Sequence, residues 1–318
     1  MWISPYKYVL SLGHLCSDIN QSILSAVLPF LIATYHYDYT TAAMLVTVSN
    51  VFGAFVQPFI GMLSDKKNKL LYMTLGVLLA SGGMAVTGFI SNFFGLCIAV
   101  IISGIGVAMF HPQAAKLVNS VSSKNAKGKG MSIFSFGGKV GFTLGPVYTA
   151  FLMNLFGMKG TILFLIPGIV FGIVCSFFNK DFENLDVLEV EKKEKVKSEQ
   201  KDDWSGFIKL CGVVFSRSIL SNGISTFLAF YFIQQFSKPN SFASMLLSVF
   251  YGIGSITLLG GGIADCFGHR KMVRLSFCIF LPAIFIFTNT SHFVIALIML
   301  IFMTCGESLS YSPMVVLG

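Results

Sequence analysis

Charge is what this sequence has least of. Asp, Glu, Lys and Arg make up only 11% of its 318 residues, where soluble domains carry about 25%. Apolar residues make up 54%, and the mean hydropathy is +0.77. That balance excludes an ordinary soluble domain. Tryptophan is scarce as well: Trp2 and Trp204 each sit just ahead of an apolar run, where an interfacial anchor belongs. The seven cysteines show no C-x-x-C or metal-ligand spacing and lie mostly in apolar runs, so free buried thiols are expected. The first apolar run is long and lacks a small-residue cleavage site, which argues against a cleaved signal peptide. No catalytic, nucleotide-binding or metal-binding motif is present. Neither an enzyme, a cofactor nor a metal site is expected.

Long apolar runs are what is there. A bilayer crossing takes about 20 mostly apolar residues, so the chain accommodates about ten spans. They are placed at residues 8–33, 41–63, 70–90, 93–117, 131–156, 161–178, 207–234, 242–263, 272–289 and 293–317. The fold class expected is therefore an all-α polytopic membrane protein. Residues 1–180 form a six-helix half, residues 181–206 a charged linker, and residues 207–318 a second, incomplete half. The linker centres on Glu-Lys-Lys-Glu-Lys-Val-Lys and is too polar to bury a core of its own.

The turn Gly61-x-x-x-Asp65, followed by lysines, returns 200 positions later (261 − 61) as Gly261-x-x-x-Asp265, followed by His269, Arg270 and Lys271. Such a pair in matching places marks a duplicated membrane protein. Lys66, Lys67, Lys69, Lys124, Lys127, Lys129, Arg270, Lys271 and Arg274 all fall in or around alternate loops. That basic side faces the cytoplasm, with the N-terminus and the linker. The net charge of +8 is thus a matter of topology, and no nucleic-acid partner is expected. Two equal halves would call for two further spans, so the chain is expected to stop short of its design, as a fragment or an interrupted frame.

Six spans, a charged linker and a Gly-x-x-x-Asp-basic turn after spans 2 and 8 resemble the major facilitator superfamily. The first turn departs from the family pattern, with Asn68 in a usual glycine place and Lys69 where arginine is common; the second has Cys266 and His269 at usually basic places. Gly141-Phe142-Thr143-Leu144-Gly145-Pro146 is similar to the Gly-x-x-x-Gly-Pro element of the superfamily's drug/proton antiporters. Small residues four apart permit close helix packing, and the proline kinks the span. His14 to Gln21, the run Gly104 to Ala115 with His111-Pro112, and the ending Tyr311 to Gly318 resemble the fosmidomycin-resistance branch. The resemblance implies two six-helix repeats, the second cut short, with a substrate cavity between them. It also implies proton-driven export of a small, phosphonate-like compound by a monomer in a bacterial cytoplasmic membrane. In the family the turns at Gly61, Asp65, Gly261, Asp265 and Arg270 control the conformational switch; the competing reading is a plain topology signal. Uptake of a small anion or sugar by proton symport stays open. So does a non-transporting receptor, a subunit or an inactive remnant.

Of 14 acidic residues, only Asp18 and Glu307 fall inside predicted spans. A charge at mid-bilayer costs at least about 2.5–3.5 kcal/mol, so it usually faces a cavity or pathway. His14, Asp18 and Gln21 share one helix face by spacing. A carboxylate beside an imidazole can hold and release a proton near neutral pH, or the group can simply pack span 1. His111, before Pro112, is either a cavity ligand or a packing histidine. Glu307 lies in span 10, the counterpart of span 4. Lys139 and Arg217 are the main cations in spans; they suit an anionic substrate, or else Arg217 pairs with Asp18 and Lys139 snorkels or pairs with Glu307.

Overall fold

A computed structural model describes residues 6–63, 69–121, 127–178, 204–255 and 268–309. Asp65, Gly261 and Asp265 lie outside the described residues, as does the side chain of Arg270, whose backbone is in a helix. The described residues are helical and contain no strand. In hydrocarbon every backbone N–H and C=O must be satisfied within its own segment, and the helix is the open-ended way to do that.

Ten helices follow in order: α1 (Tyr6–Tyr35), α2 (Tyr39–Leu63), α3 (Lys69–Ala85), α4 (Phe93–Val121), α5 (Lys127–Phe156), α6 (166–178), α7 (Trp204–Phe236), α8 (Asn240–Ser255), α9 (His269–Asn289) and α10 (Phe293–Leu309). By length and composition, seven described stretches can cross a membrane, one of them running unbroken from Ile133 to Phe178 over α5 and α6. The ten-span count is not reached on that measure. At 16 and 17 residues, the described parts of α8 and α10 fall short of a full crossing. The chain divides into two compact units, Met1–Lys197 and Ser198–Gly318. Trp204 opens α7, so residues 204–206, placed in the linker by sequence, begin a helix instead.

In the first unit α1 is the central helix, packed on α5, α4 and α3. Its seam with α5 is cut by glycines at four-residue spacing. A Cβ on Gly137 would lie 2.1 Å from the Ser11 carbonyl oxygen, one on Gly141 2.4 Å from the Leu15 carbonyl oxygen, and one on Gly145 2.0 Å from Ser22 Oγ. The partners climb α1 as the glycines climb α5, so the two helices run parallel and nearly touch. Helix α4 is notched on two sides: Gly104 sits against the Ser49 carbonyl of α2, and Gly106 against Gly76 and Ala80 of α3. Small residues allow this because close backbone approach, not hydrophobicity, drives helix association in lipid.

The core below the seam gathers Leu10, Met73, Phe110, Phe134 and Phe171, all buried. Two 3-10 segments, Val86–Phe89 and Gly157–Leu165, are locked by Thr161, whose hydroxyl donates to the Ala85 carbonyl (2.9 Å) and accepts from the Gly88 N–H (3.1 Å). The sixth span therefore starts with a 3-10 segment rather than with an α-helix at Thr161. Helix α6 begins only at residue 166, with Pro167 in its first turn, where a missing N–H costs nothing.

In the second unit α9 packs on α10 around Gly306, where a Cβ would meet Phe280 N and Ser276 O, both at 2.9 Å. Tyr231 donates to the Phe287 carbonyl at 2.6 Å within an aromatic group that includes Phe232, Phe236 and Phe293. The α1–α2 and α7–α8 turns repeat each other. His36 (φ 58°) and Ser237 (φ 50°) both take the left-handed conformation, 201 positions apart (237 − 36). Ala42 N–H then bonds Asp38 O at 3.1 Å, and Ala243 N–H bonds Pro239 O at 3.0 Å, again 201 apart (243 − 42).

Candidate functional site

Helix α1 sets His14 one turn before Asp18, and α4 brings His111 to the same carboxylate. His14 Nε2 lies 3.2 Å from Asp18 Oδ2, and His111 Nε2 lies 3.3 Å from Asp18 Oδ1. Asp18 is 3% exposed. The His111 contact is close but poorly aligned, so Oδ1 has no hydrogen-bond donor directed at it. His14 is sandwiched: its ring stacks on Phe134 at 4.0 Å, with Phe110 on another side at 6.2 Å.

The tautomer of His14 follows from its neighbour. Nδ1 is 2.8 Å from the Phe134 carbonyl oxygen. A carbonyl only accepts, so Nδ1 carries the hydrogen and donates it. In neutral His14 the Nε2 lone pair then faces a carboxylate oxygen at 3.2 Å. Two lone pairs at that distance repel, and a positive charge is required between them. A proton on either atom supplies it.

Gly138 on α5 keeps that space open: a Cβ there would lie 2.5 Å from Asp18 Oδ2 and 2.6 Å from His14 Nε2. The neighbouring Lys139, half-buried, is the cation whose field reaches His14. Pro112 lies within α4 directly after His111 and takes away the N–H that the Ala108 carbonyl would otherwise receive. Pro146 does the same on α5, beside the Gly145 notch.

Not every residue expected at the site is there. Gln21 shares a helical face with Asp18 by spacing but is exposed, beyond the buried cluster. Arg217 and Glu307 meet each other in the second unit, α7 to α10, as a hydrogen-bonded ion pair with both side chains largely buried. The partner that Arg217 meets in its own unit is thus Glu307. A small cavity beside this pair is lined by Leu220, Ser276, Phe277 and Phe280. Gly61 lies in the last turn of α2, with open space where a Cβ would stand, and Lys116 of α4 donates to its carbonyl oxygen at 3.4 Å. A lysine at a helix C-terminus offsets the partial negative charge there.

Sequence reasoning passed over Lys116, the Phe134 carbonyl and the role of Gly138 beside Asp18. Of these, only the adjacent glycines Gly137 and Gly138, beside Lys139, stand out in the sequence.

A family model described as Major Facilitator Superfamily matches residues 10–318. The fosmidomycin resistance protein of Escherichia coli K12 is 23% identical over 276 residues, covering 83% of this chain and 66% of that protein. The chain thus spans just under two thirds of that relative's length. The multi-drug resistance efflux pump PmrA of Streptococcus pneumoniae serotype 4 is 28% identical over 148 residues, 45% of this chain and 36% of the pump. Among solved structures, a bacterial homolog of the human lysosomal transporter Spinster, in an inward-facing and occupied conformation, superposes with a TM-score of 0.81. It is 15% identical, with 98% of this chain and 73% of that one covered.

Proposed function

This chain belongs to the Major Facilitator Superfamily, and from that premise we propose that it exports a small compound, phosphonate-like anions included, in exchange for protons by alternating access. The observation that carries the reading is the His14–Asp18 pair. With Nδ1–H committed to Phe134, one positive charge is needed between the two groups, and the proton is the cation always at hand. His111 offers the second imidazole by which that proton enters or leaves. Similarity to proteins named for fosmidomycin resistance and multidrug efflux supports the outward direction.

In this reading Arg217 takes the substrate's anionic group by exchanging Glu307 for it. Gly61, Asp65, Gly261, Asp265 and Arg270 form the turns that switch conformation. Pro112, Gly141, Gly145 and Pro146 set helix packing and bend. The protein works as a monomer in a bacterial cytoplasmic membrane, with its N-terminus and residues 181–203 on the cytoplasmic side. Residues 1–180 form one half and the residues after the linker belong to the other.

The test is drug-dependent proton movement in vesicles holding the purified chain and an internal pH dye. Fosmidomycin moving one way should drive protons the other, and Asp18→Asn should reduce the signal to that of empty vesicles. Protons moving with the drug would replace antiport by symport. No flux would overturn the proposal in favour of a receptor or subunit role, and undiminished flux in folded Asp18→Asn would overturn the part given to Asp18.

A further inference from the structure

The lone pairs that call for a proton are also arranged as metal ligands. We propose that His14, Asp18 and His111 form a binding site for a divalent transition-metal ion of the zinc type. The proposal goes beyond proton exchange and does not depend on it.

Three ligand atoms, one from each residue, lie within 4.8 Å of one another. Zinc bonds of about 2.0–2.1 Å in a tetrahedron require ligand–ligand edges of about 3.3 Å. His14 Nε2 stands 3.2 Å from Asp18 Oδ2 and His111 Nε2 3.3 Å from Oδ1, so each imidazole matches that edge with a different oxygen, and a turn of the carboxylate is needed for one oxygen to serve both. The shell behind the ligands fits as well. A metal-bound histidine almost always donates its other ring N–H to a carbonyl or carboxylate, which aims the free lone pair at the ion. His14 does so to Phe134 at 2.8 Å. Asp18 Oδ1 is buried with no aligned hydrogen-bond donor, an orphan that a cation would satisfy.

The space for the ion is kept by Gly138, whose missing Cβ would stand 2.5 Å from Asp18 Oδ2. Two neutral imidazoles and one carboxylate leave a zinc-type ion with one net positive charge and an open fourth position. Lys139 on α5 opposes that charge, and an exchangeable hydroxide or chloride in the fourth position offsets it. The side chains of His111 and His14 are 27% and 14% exposed, which gives the ion a way in. Cys16 and Cys175 belong to the apolar core. Sequence spacing hides the set, because its third ligand comes from another helix.

The experiment is calorimetric titration of the purified full chain, without a histidine tag, with Zn2+ at neutral pH. Cobalt absorption serves as a second readout of tetrahedral ligation. One equivalent should bind. His111→Gln, which alters a partly exposed side chain, and Gly138→Ala, which removes no ligand, should each weaken binding about tenfold or more. His292→Gln, in a loop, should change nothing. Each variant is scored only as a monodisperse protein. No one-equivalent step, or a step that survives His111→Gln, overturns the proposal. Because binding is read without flux, this inference and the proton reading fail separately.

Discussion

Arg217 and Glu307 meet with both side chains largely buried. Removing one partner of such a pair strands the other, at a cost of roughly 3–5 kcal/mol, whereas removing both can be nearly neutral. Arg217→Met and Glu307→Gln should each lower the melting temperature sharply, and the double variant should recover most of the loss; equal losses in all three would mean that the pair is not coupled. Gln113 is fully buried, and neither its amide oxygen nor its nitrogen has a hydrogen-bond partner. An unsatisfied buried polar group costs about 1–3 kcal/mol, so Gln113→Leu should raise thermal stability. Asp38 caps α2 by accepting the Thr41 N–H at 2.9 Å, and hydrogen bonding from Thr41 holds its carboxyl below the usual carboxylate range. A lowered folded-state pKa stabilises above the ordinary carboxylate range, and that contribution is lost as pH falls through the folded value. The gap in melting temperature between wild type and Asp38→Ala should therefore be present at pH 7 and close in acid. What the sequence discloses at this scale is that Asp18, Arg217 and Glu307 lie inside apolar runs, but not that Lys7 is buried. His14 and Asp18 are one turn apart on one helix, so their meeting is legible. The approach of His111, and the pairing of Arg217 with Glu307, depend on contacts between helices that no spacing encodes.

Helices are legible where a periodic small residue meets a long apolar run. Gly141 and Gly145 announce a close-packed face on α5, but not that the face meets α1, nor that Gly137 extends it. Adding bulk to this seam forces two backbones apart. Gly141→Leu should abolish a folded, monodisperse protein, whereas the same change at Gly82, where a Cβ meets nothing within 4 Å, should be tolerated. Size-exclusion profiles of the two variants decide the matter. The sixth span is where the hydropathy pattern misled. An apolar run reads the same as α-helix or 3-10 helix, and the hydroxyl of Thr161, which ties the run to the Ala85 and Gly88 backbone, acts across elements. The turn residue Ser237 is held at φ 50° by its element. Residues with a Cβ are strained there by roughly 1–2 kcal/mol, and glycine is not. Ser237→Gly should raise the melting point, and a fall would show that its side chain matters more than its backbone.

Across the whole chain, the duplication is written twice, in different alphabets. In sequence it is the Gly-x-x-x-Asp turn, spaced by 200 (261 − 61). In backbone it is the left-handed turn residue and the hydrogen bond after it, spaced by 201 (237 − 36). His36-Tyr37-Asp38 and Ser237-Lys238-Pro239 share no residue, so the second copy of the signal is invisible without coordinates. The sequence conveys class and repeat because both rest on composition and period. It places ten spans, whereas the described helices give seven stretches long and apolar enough to cross, because α5 and α6 form one stretch and the described parts of α8 and α10 are short.

Two of the three groups, His14 and Asp18, ride on α1, and the third, His111, rides on α4 just before Pro112. A cation shared by all three is therefore a removable rivet between two helices. Sliding or bending α4 away from α1 takes one ligand off and loosens the rivet; seating the cation resists the slide. By reciprocity, whatever solute favours the displaced α4 must weaken the cation's hold by the same factor that the cation weakens the solute's. Exchange of one for the other needs no further device than a third ligand mounted on a different helix.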